Sequence, residues 1–314
     1  MIKSKKYKTV IMGTPEFAVK PFSALISDPN FEVVLAVSQP DKKVGRKQIM
    51  QATPVKKLAQ ENNIEVAQPE KIKDIEEKLK SLNADILVVI AYGKILPQRI
   101  LDIFKRGAIN VHGSLLPKYR GSSCMQAAIL NGDKETGVTI MLMDAGMDTG
   151  DILKQFKVNI ETDETISSLH DKLSELSAKT LPATLIEYLQ GNIKPQKQDE
   201  EKACTVKMLS KEDGHLNFNK SANYIDRQVR ALNPWPSTFA RLDKEYLKIL
   251  ETGSIITTDQ PHEIGELFFN NNSLFVQTKD KAIEITKLQV SGKKPANKEN
   301  IISGYKHLEG KVLQ

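Results

Sequence analysis

The chain has 314 residues and a mass of 35.1 kDa, about twice the size of a typical domain, so we expect two domains. Apolar residues make up 40% and charged residues 27%, the composition of a soluble globular protein that buries its own core without a disulfide or metal staple. The 45 Lys and Arg exceed the 39 Asp and Glu, and the net charge of +6 is compatible with a polyanionic partner without requiring one.

Neither a membrane span nor a signal peptide is expected from the apolar runs. The longest run, residues 86–91, is far shorter than the roughly 20 residues that cross a bilayer, and Pro15 and Glu16 interrupt the apolar start of the chain. The two cysteines, Cys124 and Cys204, form no CxxC pair and no disulfide framework. We therefore expect a protein of the reducing cytoplasm.

Over the first 190 residues, short continuous apolar runs alternate with amphipathic stretches of helical length. Continuous rather than alternating apolar strands, separated by helices, are typical of a mostly parallel sheet covered on both faces, which predicts an α/β domain. In such sheets ligands bind beyond the carboxyl ends of the strands. The predicted strands are 9–12, 33–37, 85–90, 107–111 and 137–142, and the predicted helices are 54–62, 72–82, 122–131 and 165–189, the last with a kink or break at Pro182.

The pattern changes at the polar, aperiodic segment Gly191–Glu201, which is typical of a linker. After a predicted helix at 222–231, short β-prone runs recur between Gly, Asn and Pro residues, as in a small barrel or sandwich. These runs are 246–250, 253–257, 273–277 and 282–288. We therefore divide the chain into a first domain of residues 1–190, a linker of residues 191–206 and a second domain of residues 207–314.

The most basic part of the first domain follows the second predicted strand. From Asp41 to Lys57 the sequence has six Lys or Arg and one acid, a net charge of +5. Such a loop is suited to neutralising phosphates, and a solvated basic surface is the alternative. From Lys279 to the end there are eight Lys and four acids, which fits an RNA-contacting barrel or a structural appendage. The residues that we expect to contact a nucleic acid are Lys42, Lys43, Arg46, Lys47, Lys293 and Lys294.

The densest polar cluster of the first domain is the segment 110–121. Asn110 and His112 are two residues apart at the end of a predicted strand, so their side chains point to the same face of the sheet. An amide and an imidazole in this position are able to donate together to a developing oxyanion. The alternative is that both side chains bond only to loop backbone, but the pair followed by Gly113 favours a functional site.

A second polar loop, Asp144–Asp151, follows the strand predicted at 137–142 and contains three aspartates and two glycines. A carboxylate brought against His112 would stabilise the charged imidazole or accept a proton itself. A calcium loop is excluded because its closing glutamate is missing, whereas a plain turn remains open for Asp144.

The chain also lacks the motifs G-x-G-x-x-G, G-x-x-x-x-G-K-[ST], H-E-x-x-H and G-x-S-x-G, which argues against dehydrogenases, kinases, zinc proteases and esterases.

These segments together resemble the methionyl-tRNA formyltransferase family, and the resemblance runs nearly end to end. The Asn-x-His pair and the distant Asp-Thr-Gly-Asp are similar to the wider folate-dependent formyltransferases, whereas the basic loop and the Asn-Pro-Trp-Pro segment narrow the match to the tRNA enzymes. The matching segments are 13–15, 39–41, 45–46, 91–93, 96–97, 110–117, 120–121, 135–140, 148–151, 209–212 and 230–236.

The resemblance implies a Rossmann-like catalytic domain, a linker and an OB-like β-barrel. It implies a cytoplasmic enzyme that transfers the formyl group of 10-formyltetrahydrofolate to the α-amino group of methionyl initiator tRNA without a metal, and we expect a monomer. The positions that match the family's catalytic residues are Asn110, His112 and Asp148, and those that match its folate-contacting stretch are Ser114, Leu115, Leu116 and Pro117.

The chemistry of these side chains agrees with formyl transfer. An α-amino group has a pKa near 8, so a useful neutral fraction is present at pH 7. We expect Asn110 and His112 to donate to the oxyanion formed on attack, and Asp148 to orient His112 and help remove the ammonium proton. Either His112 or water then protonates the leaving nitrogen.

The sequence departs from the family pattern in two places and leaves other functions open. Residues 122–125 (SSCM) replace a more usual Ala-Ala-Pro-Ile beside the expected folate site, where they would alter the pocket's shape. Residues 205–207 replace a Tyr-Ala-x-Lys pattern in the linker.

A sister enzyme that formylates an amino-sugar nucleotide would share the Asn-x-His site, but the basic loop argues against it. An RNA-binding module on an α/β scaffold has no use for that site, and a nicotinamide dehydrogenase is disfavoured by the missing glycines.

Overall fold

The computed structural model describes residues 6–44, 48–243 and 245–314, and the chain folds into two compact units. The first unit contains the residues up to Cys124 together with Glu135–Asn159 and Leu169–Val206. The second contains Met125–Lys134, Ile160–Ser168 and Lys207–Gln314.

A seven-stranded sheet forms the first unit, with a separate two-stranded hairpin beside it. The strands are β1 Tyr7–Gly13, β2 Phe31–Val37, β3 Lys42–Val44, β4 Ile49–Gln51, β5 Val66–Ala67, β6 Ile86–Ile90, β7 Ala108–His112, β8 Glu135–Leu142 and β9 Ile152–Asn159. The sheet order is β5-β2-β1-β6-β7-β8-β9, and β3 pairs with β4 in the hairpin. All pairings from β5 to β7 are parallel, whereas β7–β8 and β8–β9 are antiparallel. The predicted mostly parallel α/β sheet is confirmed.

Burial explains which strands the sequence revealed. Every residue of β6 is buried, so the strand is one continuous apolar run. Edge strand β9, which the sequence analysis missed, places Lys154 and Lys157 among partly exposed positions and therefore lacks such a run. Within the segment expected to be a basic loop, β3 and β4 are strands of three residues each that pair with one another; we call this pair the basic hairpin.

Helices connect the strands of the first 190 residues, and one of them is unusually long. The helices up to the linker are α1 Val19–Ser27, α2 Pro54–Glu61, α3 Glu76–Ser81, α4 Gln98–Leu101, α5 Cys124–Asn131 and α6 Ile166–Leu189. In α6 a buried row recurs every four residues from Leu169 to Leu189, so one face packs along its whole length. This packing holds α6 as one helix through Pro182, so of the kink or break expected there the break is not present.

The second unit contains a curled antiparallel sheet. Its elements are α7 Ala222–Leu232, β10 Phe239–Leu242, β11 Glu245–Ile256, β12 Leu267–Asn270, β13 Ser273–Gln277, β14 Ala282–Val290, β15 Ala296–Asn297 and α8 Lys298–Gly304. The order is β10-β11-β14-β13-β12, and β15 also pairs with β14. Strand β11 shifts register against β14 at Ile249, Glu251 and Thr252, and such bulges bend a strand. The two strands expected between 246 and 257 are therefore one bent strand, and the predicted OB-like architecture is confirmed.

An apolar core supports this second sheet. Helix α7 is capped by Ser221, whose side chain accepts from Tyr224 N. The helix buries Ile225 and Val229 against Leu247 and Ile283 of the sheet.

Among the residues that the structure describes, no helix has the length and apolar character needed to cross a membrane.

Candidate active site

Asn110 and His112 lie on β7, and Asp148 reaches them from the loop between β8 and β9. Because β8 runs antiparallel to β7, Leu142 at its end lies opposite Ile109, near the beginning of β7. The loop must therefore return toward the other end of β7 to present Asp148, which has a left-handed φ of +55°. The three groups that were expected at one site do lie together, although the loop of Asp148 starts beside the beginning of β7 rather than beyond its end.

The carboxylate of Asp148 is the shared partner of the cluster. Its Oδ1 accepts from Asn110 Nδ2 at 3.3 Å, and its Oδ2 accepts from the backbone N of Gly121 at 2.8 Å. The same Oδ2 lies 3.6 Å from His112 Nδ1, which is longer than a hydrogen bond but short enough for a charged pair. One carboxylate thus organises an amide, an imidazole and a backbone donor.

The imidazole of His112 is buried, with only 7% of the residue exposed. Its Nε2 lies 2.9 Å from the carbonyl oxygen of Tyr119, and because a carbonyl only accepts, Nε2 carries the proton of this bond. Burial by itself lowers the pKa of His112, but attraction to and hydrogen bonding with Cys124, together with the Asp148 carboxylate and the Tyr119 carbonyl, outweigh it and raise the pKa to about 9. At pH 7 His112 is therefore an imidazolium that carries a proton on both nitrogens.

The segment 119–121 supplies the backbone partners of both charged groups. Tyr119 O accepts from His112, and Gly121 N donates to Asp148, with Arg120 between them. Both flanking residues have positive φ, +61° at Tyr119 and +111° at Gly121, which lets the short turn present a carbonyl and an amide to neighbouring side chains. The turn is fixed from outside, because Arg120 N donates to Cys204 O and Val206 N donates to Arg120 O, each at 2.8 Å.

The stretch expected to contact folate is a compact turn whose polar groups already have protein partners. Ser114 Oγ donates to Lys118 O at 2.6 Å, and Thr139 Oγ1 donates to Ser114 O at 2.6 Å. The carbonyl of Leu115 accepts from Lys118 N, and that of Leu116 accepts from Gln155 Nε2. The carbonyl of Pro117 accepts from Cys204 N. A ligand would therefore meet the partly exposed side chains of Leu115 and Pro117 rather than these carbonyls, since Ser114 and Leu116 are buried, and folate contact remains a prediction.

The expected nucleic-acid contacts fall on exposed surfaces where the structure describes them. Lys42 and Lys43 are exposed on β3, while Arg46 and Lys47 lie outside the described residues. Lys293 and Lys294 are exposed after β14 in the second unit.

Not every cation of the basic segment is free to meet phosphate. Lys56 Nζ donates to Asp41 Oδ2 at 2.6 Å, and Gln68 Nε2 donates to Asp41 Oδ1 at 2.6 Å. Hydrogen bonds from Gln68 and Lys56 hold the pKa of Asp41 below its usual range, so the carboxylate stays charged. Because Asp41 is already counted in the net charge of +5 for residues 41–57, this pair leaves that charge unchanged; it occupies Lys56 and anchors the residue before the strand that carries Lys42 and Lys43.

Three residues of the site had no role assigned from the sequence. Cys124 was noticed as a departure from the family pattern, but it lies against His112 rather than only shaping a folate pocket. Arg120 belongs to a matching motif without an assigned task, and Gln198 lies in the linker and gave no signal. Over the ranges that the structure describes, no group of three or more His, Cys, Asp or Glu side chains is placed to hold a metal ion.

Replacing Cys124 with Ala is expected to lower the pKa of His112, because the sulfur is the strongest of the influences that oppose the effect of burial. A raised pKa stabilises the folded protein while the group is protonated, so this contribution is complete below about pH 6.5 and is lost as the pH rises through about 9. The wild-type protein should therefore lose more stability than Cys124→Ala between these values. Titrating the imidazole protons by NMR measures the pKa directly.

The matched control is Cys204→Ala, since Cys204 Sγ accepts from Tyr119 N at 3.2 Å and its removal leaves Cys124 in place. We expect a smaller change in the His112 pKa in this variant. Equal His112 pKa values in the wild type and Cys124→Ala would show that the sulfur does not set the charge of the imidazole.

Two family models match the chain, one in each half. The model described as Formyl transferase matches residues 5–185, and the model described as Formyl transferase, C-terminal domain, matches residues 208–306. Together they cover most of the sequence and leave the linker between them.

Two relatives of similar length carry the same name. Methionyl-tRNA formyltransferase of Caldicellulosiruptor saccharolyticus is 42% identical over 309 residues, covering 97% of this chain and 99% of the relative. The protein of the same name from Caldanaerobacter subterraneus subsp. tengcongensis is 39% identical over 310 residues, covering 98% of this chain and all of the relative.

Solved structures share the fold at lower identity. The N-formyltransferase from Helicobacter canadensis, in complex with folinic acid and dTDP-3-aminofucose, has a TM-score of 0.67 at 21% identity and covers 89% of this chain and 98% of its own. Phosphoribosylglycinamide formyltransferase from Bacillus halodurans has a TM-score of 0.51 at 25% identity and covers 59% of this chain and 96% of its own.

Proposed function

Because this chain belongs to the methionyl-tRNA formyltransferase family and therefore formylates methionyl initiator tRNA, we propose that its formyl donor is 10-formyltetrahydrofolate and that transfer takes place at Asn110, His112 and Asp148. The observation that carries this assignment is the single carboxylate of Asp148, which accepts from Asn110 and lies beside His112. A protein that only binds RNA would have no use for this combination of a carboxylate, an amide and a charged imidazole.

The geometry supports a division of labour during transfer. As the neutral α-amine of the methionyl group adds to the formyl carbon, negative charge develops on the formyl oxygen. Asn110 Nδ2 and the Nδ1–H of charged His112 are the donors for that oxygen, and the 3.6 Å separation between Nδ1 and Asp148 Oδ2 is too long for a hydrogen bond that would hold this hydrogen on the carboxylate. Low local polarity around the buried imidazole strengthens this donation.

Proton movements then balance the reaction. Asp148 takes the proton released as the amine nitrogen becomes an amide, because its carboxylate faces the cluster and is only partly buried. When the bond between the formyl carbon and N10 breaks, His112 or a water protonates N10. The products are formylmethionyl-tRNA and tetrahydrofolate, and no step in this sequence requires a metal.

A folate donor fits the stretch Ser114–Pro117. The partly exposed side chains of Leu115 and Pro117 offer apolar contact in this stretch, whereas Leu116 is buried, and Met147, which is 56% exposed, offers more next to Asp148. A structural relative was solved with folinic acid, which supports the same class of ligand here. The donor set of the cluster matches a carbonyl oxygen rather than a metal ion.

For the tRNA we propose contact through the basic hairpin and the lysines of the C-terminal sheet. We assign catalysis to residues 1–190, a linker to residues 191–206 and tRNA affinity to residues 207–314, a division supported by the family matches on either side of the linker. We further propose a cytoplasmic enzyme, as its cysteine usage predicts, and one that acts as a monomer.

Arg46→Ala is expected to raise the KM for tRNA while changing the KM for the folate donor less, because a phosphate contact is lost. Lys42→Ala and Lys43→Ala should act in the same direction. In a plot of log KM for tRNA against the logarithm of the salt concentration, the slope should decrease by about 0.9 for each phosphate contact removed. Lys73→Ala, an exposed lysine outside the basic segment, is the control, and an Arg46→Ala slope equal to that of the control would count against the contact.

A competition assay tests the proposed function. The enzyme is incubated with 10-formyltetrahydrofolate and equal concentrations of methionyl initiator tRNA and dTDP-3-aminofucose, and both acceptors are analysed for formyl groups. We expect formylmethionine on the tRNA and an unmodified sugar nucleotide. Formylation of the sugar alone would overturn the assignment, and no formylation with this donor would overturn the proposed folate.

A further inference from the structure

Gln198 lies in the linker, about 50 residues from Asp148 in sequence, yet its side chain is bonded to the loop that carries Asp148. Its Nε2 donates to the carbonyls of Asp148 and Gly150, each at 2.8 Å. Its Oε1 accepts from Nε and Nη2 of Arg120 at 3.0 and 2.9 Å. Only 8% of the residue is exposed, and every donor and acceptor position of its amide is used.

The partners of this amide fix its orientation. A guanidinium only donates and a carbonyl only accepts, so the oxygen must face Arg120 and the nitrogen must face the Asp148 loop. Arg120 is itself buried and is held on its other side by Glu200, which accepts from Nη1 at 2.9 Å and from Nη2 at 2.7 Å. Charge-assisted bonds of this kind are geometrically demanding, so they set the position of the amide.

Gln198 therefore joins the two segments that surround His112. Arg120 lies between Tyr119, whose carbonyl accepts from His112, and Gly121, whose amide donates to Asp148. On the other side Gln198 holds the backbone of Asp148 itself. If either connection loosens, the carboxylate of Asp148 is free to move relative to the imidazole.

We propose that Gln198 is a positioning residue for formyl transfer, whose side-chain amide holds the loop of Asp148 against the Arg120 turn and so fixes the carboxylate relative to His112 and Asn110. The inference rests on the proposed function, because it requires Asp148 to act in the reaction. Gln198 itself bonds only to protein groups and is not a catalytic residue.

Gln198→Glu is the test, because it keeps the size and shape of the side chain and a partner for Arg120. It replaces the amide nitrogen with an oxygen that faces two carbonyl oxygens, so the loop is pushed away. We expect kcat to fall about tenfold to a hundredfold, the cost of a displacement of about 1 Å, with KM for both substrates changed less than about threefold. Moving Asp148 away also removes one of the attractions that raise the pKa of His112, so the basic limb of the kcat–pH profile should shift to lower pH.

Asp199→Asn is the matched control, because it makes the reverse exchange of amide and carboxylate at the next residue. The Asp199 side chain is about half exposed, pairs with Lys202 and accepts from Glu201 N, and these partners lie outside both segments of the site. We expect its kcat and pH profile to equal those of the wild type. Arg120→Lys, which keeps the positive charge but cannot bond twice to Gln198, provides a second variant if Gln198→Glu does not fold.

The outcomes separate three cases. A folded Gln198→Glu enzyme with wild-type kcat and pH profile overturns the proposal, as does one that only unfolds at a lower temperature. A lower kcat with a shifted pH profile in Gln198→Glu or Arg120→Lys supports it. Asp148→Asn is assayed alongside, and full activity in that variant would overturn the proposed site itself rather than only the role of Gln198.

Discussion

His112→Asn and Asp148→Ala are expected to turn over methionyl-tRNA at least about a hundredfold more slowly than the wild type, which is typical of removing an oxyanion donor. His112→Asn removes the imidazolium, and Asp148→Ala removes the carboxylate that lies 3.6 Å from it and accepts from Asn110 at 3.3 Å. Steady-state formylation at saturating concentrations of both substrates measures the effect as kcat.

The control for these variants is substrate binding. Neither side chain is part of the basic hairpin, so the dissociation constant for methionyl-tRNA should stay within about threefold of the wild type. The double variant should lose little more than the worse single variant, since groups that act as a unit are not additive. Turnover near the wild-type rate in either single variant would remove that residue from the reaction.

Gly121→Ala is expected to destabilise the protein by about 2–4 kcal/mol and to reduce turnover by at least about tenfold. Gly121 has a φ of +111°, and a Cβ there would collide with the carbonyl oxygen of Val206. Relief of this collision must move the turn that donates from Gly121 N to Asp148 Oδ2. Denaturant unfolding gives the stability change, and kcat gives the effect on the site.

Gly191→Ala is the control, because it places a side chain at a positive φ without a steric collision. Gly191 follows α6 with a φ of +81°, and a Cβ there would have no atom within 4 Å. It should cost only about 1 kcal/mol and leave turnover unchanged. If Gly121→Ala cost no more than Gly191→Ala in both stability and turnover, the close approach to Val206 would not hold the site together.

The sequence predicted the elements whose burial is complete and missed those whose burial is partial. Strand β6 is apolar throughout, and helix α6 repeats its buried face every four residues, so both were found. Strand β9 lies at an edge and carries lysines, so no apolar run marks it. Nor does local pattern predict that packing carries α6 through Pro182, because that stability comes from contacts far away in sequence.

The candidate site divides in the same way. Asn110 and His112 were placed together by a spacing of two along one strand, and the resemblance added Asp148. The direction of β8 and the return of its loop depend on an antiparallel pairing that periodicity does not encode. Gln198 offered no signal because a buried glutamine in a polar linker has the same local sequence as an exposed one, and its role arises only from Arg120 and the Asp148 backbone.

The most direct test of the account is the rate of formyl transfer in a single turnover, with enzyme in excess and both substrates already bound. Rapid quenching of wild type and Asp148→Asn measures the chemical step without contributions from binding or product release. We expect formylmethionyl-tRNA to form in both but at least about a hundredfold more slowly in Asp148→Asn, because the amide cannot take the proton of the amine. Equal single-turnover rates would contradict the claim that the cluster around Asp148 carries out the transfer.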